Sequence, residues 1–310
     1  MSKFEIKDFK GVIPALLTVF DENENIDEKG MRELVSYLID SGVDGLYLTG
    51  STGEGFTMSS EERKKVVEIV MDEVKDRIPV VVHVGAIGTK LSIDLAKHAE
   101  SLGVTGISSV PPFYWKFSEK QIINYYKDIA ESCKTPMIVY NVPLAGLLTV
   151  DTIEKLASIE NIKGIKYTAQ SHYEITQIKD KFGDDFLVYS GCDEMALSGL
   201  LSGADGIIGS TYNVLPDLFI NINNAVNNKD IDLAKKLQKE GVSIIMYLLN
   251  TPCFLAGMKS LLRAMGIRAG YCRRPFENFN EEYEKEFLQG LKSLKEVKSI
   301  ENVRCLNIDI

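Results

Sequence analysis

Paired cysteines, a basic surplus and a long apolar run are all missing from this 310-residue chain. Its five cysteines, Cys133, Cys192, Cys253, Cys272 and Cys305, stand singly with no CxxC pair. That pattern argues against a disulfide framework or a structural zinc site and suits a reducing compartment. A net charge of −9 leaves no cationic surplus to neutralise phosphates, which excludes a general nucleic-acid binder. The same charge cannot steer an anionic substrate, so local donors must capture one. No stretch reaches the roughly 18 apolar residues of a membrane span. The N-terminal segment MSKFEIKDFKGVIPALL lacks a charged region followed by a long apolar core. The expectation is a cytoplasmic protein with neither membrane nor nucleic acid as partner.

What is present is an ordinary globular composition, 45% hydrophobic and 25% charged, enough for a large core. Short apolar runs recur at 11–18, 44–50, 79–85, 105–112, 136–141, 163–168, 186–191 and 205–211. They are apolar on both faces rather than alternating, as parallel strands between two layers are. Helical patterns separate them, among them EKGMRELVSYLIDSG, SSEERKKVVEIVMDEV, TKLSIDLAKHAESLG and EKQIINYYKDIAESC. Ser59 or Ser60 is placed to cap the second of these, and Gly42 and Gly103 to end the first and third. Eight strands alternating with helices predict an α/β fold, a (β/α)8 TIM barrel. An open doubly wound sheet is disfavoured because the first βα turn has no GxGxxG loop. PDLFININ, IDLAKKLQKEGVSIIMYLL, FLAGMKSLLRAMG and EEYEKEFLQGLKSLKEV then read as helices. One domain, 1–310, is expected, with a barrel over 1–225 and a C-terminal helical extension over 226–310 packed on it.

A TIM barrel builds its site at the C-terminal strand ends, and unusual polar residues gather there. Strand two ends Gly50-Ser51-Thr52-Gly53-Glu54, strand five Tyr140-Asn141-Val142-Pro143, strand seven Gly191-Cys192-Asp193-Glu194, and strand eight Gly209-Ser210-Thr211-Tyr212-Asn213. Lys166 lies inside the apolar run GIKYT. Burial disfavours its charged form and favours the neutral amine that attacks a ketone; the plainer reading is a strand-end lysine reaching solvent. Tyr140 is either a proton shuttle or an amphipathic core-edge tyrosine. Ser51 and Thr52, between glycines, either offer hydroxyls and N–H groups to a carboxylate or form an ordinary turn. Asp193 and Glu194 suit hydroxyl donors or an N-cap; a metal is disfavoured because no further ligand stands at metal spacing. Of the three histidines, His98 reads as surface, His172 as a loop residue and His83 as a satisfied core histidine.

Taken in order, GSTGE, YNVP, GIKYT and GCDE resemble the dihydrodipicolinate synthase / N-acetylneuraminate lyase family, from GVIPALLT to the GYCRRPF segment near residue 270. The resemblance implies a (β/α)8 barrel with extra C-terminal helices, usually a homotetramer, with no metal or organic cofactor. It makes Lys166 the Schiff-base lysine and Tyr140 the catalytic tyrosine. Ser51 and Thr52 become the holders of a pyruvoyl carboxylate, and Tyr114 a tyrosine that reaches toward a neighbouring subunit's site. Synthases of the family carry an arginine shortly after YNVP; here Leu144-Ala145-Gly146 follows, so an anionic head would lack a bidentate partner. Thr168, Gly191, Asp193, Glu194 and Ser210 match the sialic-acid lyase branch, where such groups meet a polyol tail. The expected activity is reversible cleavage of N-acetylneuraminate to pyruvate and N-acetylmannosamine. The rivals are a 2-keto-3-deoxy sugar acid aldolase, 4-hydroxy-tetrahydrodipicolinate synthase, and a non-catalytic keto-acid-binding relative.

Overall fold

A computed structural model of the chain describes residues 2–301 and 303–308; residues 1, 302, 309 and 310 of the expected domain lie outside them. Each apolar run marks one strand, β6 starting one residue ahead of its run: β1 (Gly11–Pro14), β2 (Leu46–Leu48), β3 (Val80–His83), β4 (Gly106–Ser109), β5 (Met137–Asn141), β6 (Ile162–Tyr167), β7 (Leu187–Ser190) and β8 (Gly206–Gly209). All pairings are parallel, in the order β1-β8-β7-β6-β5-β4-β3-β2. The ring closes between the outer two through the parallel bridge Ala15–Tyr47 and the Leu16 N–H on Tyr47 O at 2.9 Å. This is the (β/α)8 barrel, and closure leaves no open sheet edge.

Strand alternation sorts the side chains into two cores. Val80 and Val82, Met137 and Val139, Ile165 and Tyr167 face the surrounding helices. Ile13, Tyr47, Val81, Ile138, Tyr140, Leu187, Tyr189 and Ile208 fill the barrel. Fully burying each aliphatic side chain among them is worth about 1.5–3 kcal/mol. Alternation also turns Lys166, between Ile165 and Tyr167, into the barrel.

The barrel helices are α1 (Glu28–Asp40), α2 (Ser60–Val74), α3 (Thr89–Ser101), α4 (Glu119–Glu131), α5 (Val150–Ala157), α6 (Tyr173–Phe182), α7 (Ala196–Leu201) and α8 (Pro216–Asn227). Of the two candidate caps of α2, Ser59 performs the role: its Oγ accepts from Glu62 N, while the Glu62 carboxylate accepts from Ser59 N. Gly42 and Gly103 follow α1 and α3 at φ +89° and +72°, where a Cβ would be strained. The extension consists of α9 (Ile231–Leu249), α10 (Phe254–Ala264) and α11 (Glu281–Lys298). Among the described residues no single helix is long and apolar enough to cross a membrane; α9 and α10 have the length together but meet at 114°.

Candidate active site

The strand register sets the centre of the site. Tyr140 on β5 pairs directly with Lys166 on β6, and Lys166 with Tyr189 on β7. In-register residues on parallel neighbours project to the same face, so the lysine and both rings point inward together. The Lys166 side chain is almost fully buried, its Nζ lying 4.2 Å from the Tyr140 ring centroid and 4.7 Å from that of Tyr47. A solvent-reaching lysine is thereby ruled out. Tyr140 is buried as well, with Tyr47 and His83 edge-on to its ring at 6.1 Å each.

Beside the lysine, Thr168 Oγ1 is buried without a hydrogen-bond partner among the described residues. It has room because Gly191 has no side chain: a Cβ there would lie 1.9 Å from that hydroxyl and 3.3 Å from Lys166 Cε. Asp193 is buried, its Oδ2 accepting from Thr211 N at 2.7 Å and Thr211 Oγ1 at 2.6 Å. Burial pushes its carboxyl above the usual range, a shift that the Thr211 hydrogen bonds oppose. Glu194 is exposed.

The loop after β2 carries Ser51 and Thr52. Thr52 Oγ1 and Ser210 Oγ are 2.7 Å apart, so Ser210, expected near the tail, lies beside a residue expected at the carboxylate. Thr49 and Glu54 flank the loop at φ +53° and +54°, and Gly55 is forced, since a Cβ there would lie 2.0 Å from Thr49 O. Glu54 is the anchor. Its carboxylate meets Lys259 Nζ at 2.6 Å, with both side chains fully buried, and accepts Arg273 N at 2.8 Å. Lys259 also donates to Tyr271 O at 2.6 Å, so the C-terminal extension holds the serine–threonine loop.

Tyr114 is not part of this chain's lysine cage. It is 81% exposed at φ +82°, edge-on to Trp115 at 4.7 Å. His98 is half-buried against Glu68 at 3.1 Å. His172 lies in the turn before α6 and is buried, 3.0 Å from Ser198 Oγ. Among the described residues no group of three or more His, Cys, Asp or Glu is placed to hold a metal ion.

His83 proves to be the buried core histidine, and Arg63 is its partner. The Arg63 guanidinium, lowered to about 10 by burial, donates to Gly85 O at 2.9 Å and His83 O at 2.6 Å. Burial, then Arg63, then Lys166 hold the His83 imidazole well below its ordinary 6.5. Below that value the unfolded chain takes up a proton that the folded chain refuses, so stability falls as pH drops. The expected slope is up to about 1.4 kcal/mol per pH unit. Urea midpoints between about pH 5.5 and 7 read this slope, and it should flatten in His83→Asn. An equal slope in that variant would assign the acid sensitivity to other groups.

The chain is similar to several known proteins. A protein of Citrobacter koseri named N-acetylneuraminate lyase is 40% identical over 292 residues, 93% of this chain and 96% of its own. A Clostridium difficile structure, CdNal in complex with mannosamine, is 36% identical with a TM-score of 0.89 over 94% of this chain and 99% of its own. A Ruminococcus gnavus sialic acid aldolase, solved as its catalytic lysine mutant, is 32% identical with a TM-score of 0.89 over 96% and 99%. The model of the dihydrodipicolinate synthetase family matches residues 8–294, and the chain belongs to that family.

Proposed function

We propose that the chain is an N-acetylneuraminate lyase, a class I aldolase that cleaves N-acetylneuraminate reversibly to pyruvate and N-acetylmannosamine. The observation that carries this reading is the buried amine of Lys166 facing the Tyr140 ring across one strand register. Lys166 attacks the C2 ketone of the open-chain sugar acid, and water leaves as the protonated imine forms. The C4 hydroxyl gives up its proton, the C3–C4 bond breaks, and its electrons move into an enamine, releasing N-acetylmannosamine as the aldehyde. Tyr140, with Ser51 and the substrate carboxylate, relays that proton. The enamine is then protonated at C3, and hydrolysis of the imine releases pyruvate and restores the amine. Carbon and charge balance without an oxidant, and the imine serves as electron sink in place of a metal or organic cofactor.

Ser51 and Thr52 hold the carboxylate through hydroxyl and backbone N–H donors, the local capture that an acidic protein needs. Thr168, Gly191, Asp193, Glu194 and Ser210 form the face toward the polyol tail, where carboxylates accept from sugar hydroxyls. The reading also includes a single domain, a cytoplasmic location and a homotetramer. Tyr114 and Trp115, 81% and 63% exposed side by side, support an interface through which Tyr114 enters a neighbour's site.

The test is pyruvate release from N-acetylneuraminate by purified protein, read by reduction of the pyruvate with lactate dehydrogenase. Equimolar pyruvate and N-acetylmannosamine are expected. Pyruvate only from 2-keto-3-deoxy sugar acids would move the substrate to the rival aldolase, and condensation only with an amino-acid aldehyde would restore the synthase.

A further inference from the structure

Gln238 sits within α9, outside the barrel, yet its side-chain amide reaches the rim of the site. Its Oε1 accepts the backbone N–H of Leu197 at 2.9 Å, and its Nε2 donates to the carbonyl of Asp193 at 3.3 Å. The orientation of the amide is forced, because an N–H must meet the oxygen and a carbonyl the nitrogen. These two backbone groups bracket the single 3-10 turn Asp193–Met195 and the start of the six-residue helix α7.

A cleft of about 380 Å³ opens beside that turn, lined by Glu194, Met195, Leu197, Ser198, Leu201 and Gln238. On the inner side Asp193 is fixed through its carboxylate by Thr211 of the β8 loop. Glu194, by contrast, is exposed, so the direction of its carboxylate follows the backbone that carries it. Leu197 N is also one of the amides that an α-helix start leaves without an intrahelical partner. A neutral side chain with one acceptor and one donor fits both demands at once.

We propose that Gln238 is a positioning residue that sets the substrate-tail end of the site, holding the Asp193–Glu194 turn from the C-terminal extension while leaving the imine chemistry untouched. This rests on the lyase reading above. The extension then braces the two ends separately, through Lys259 at the carboxylate end and Gln238 at the tail end.

The experiment compares wild type, Gln238→Met and Gln238→Glu. Methionine keeps the length and removes both hydrogen bonds; glutamate keeps the acceptor for Leu197 N and loses the donor to Asp193 O. For Gln238→Met, KM for N-acetylneuraminate should rise about tenfold, the scale of two net hydrogen bonds. Its kcat, its KM for pyruvate in the condensation direction and its pyruvate trapping by borohydride should stay at the wild-type level. Gln238→Glu, whose second oxygen would face the Asp193 carbonyl, should raise KM for N-acetylneuraminate at least as much. Equal rises in both KM values, an unchanged KM for the sugar acid, or a fall in kcat alone would each overturn the proposal. Far-ultraviolet circular dichroism and melting temperature confirm that both variants fold. If wild type fails to cleave N-acetylneuraminate, the lyase reading fails instead, a result independent of either variant.

Discussion

Lys166→Ala is expected to abolish turnover, lowering kcat/KM by at least about four orders of magnitude, as loss of a covalent nucleophile does elsewhere. The size follows from the mechanism: without the imine, cleavage of C3–C4 would leave an unstabilised carbanion. Substrate binding should survive far better, since Ser51, Thr52 and Asp193 lie on the loops after other strands. Weak N-acetylneuraminate binding by calorimetry with no pyruvate release is therefore the expected phenotype. The fold should tolerate the change. The Lys166 Nζ lies over two tyrosine faces, and its removal leaves a cavity rather than half of an ion pair. Residual turnover within about a hundredfold of wild type would point to simple acid–base assistance and away from covalent catalysis.

Lys259→Met should produce the largest loss of stability. Glu54 and Lys259 are 0% exposed and 2.6 Å apart, and removing one partner leaves the other charge buried alone, at about 3–5 kcal/mol. The double variant Glu54→Gln/Lys259→Met should regain much of that loss, giving a coupling energy well above the few tenths expected of independent sites. Midpoints are best compared at one protein concentration, because assembly shifts apparent stability. The same variant carries a functional signature. The serine–threonine loop hangs on Glu54, so KM for pyruvate should rise more than KM differences at the tail end. A single variant as stable as wild type would mean that Glu54 is ionised and satisfied by Arg273 N alone.

The barrel was legible from the chain because its signals are local. Each strand falls on one apolar run, β6 beginning one residue ahead of its run at Ile162; residues 11–18 form a strand of only four, Gly11–Pro14, after which Ala15 makes an isolated bridge to Tyr47. Lys166 stood out because a lysine flanked by Ile165 and Tyr167 conflicts with its surroundings, and such conflicts mark functional positions. Glu54 and Lys259 were hidden for the opposite reason. They are 205 residues apart, and neither a glutamate in a glycine-rich loop nor one lysine in FLAGMKSLLRA names its partner. The usable hint was that this lysine falls on the apolar side of α10, between Met258 and Leu262, both buried. Gln238 gave no hint at all, as an ordinary polar residue in an amphipathic helix. Tyr114 was picked out by resemblance alone, and a single chain leaves it at the surface.

The most direct measurement is intact-mass spectrometry after borohydride reduction with pyruvate, followed by peptide mapping. One reduced pyruvyl group per chain, on Lys166 and absent from Lys166→Ala, is the predicted result. Folded, unlabelled protein, or a label on another lysine, would contradict imine catalysis at Lys166.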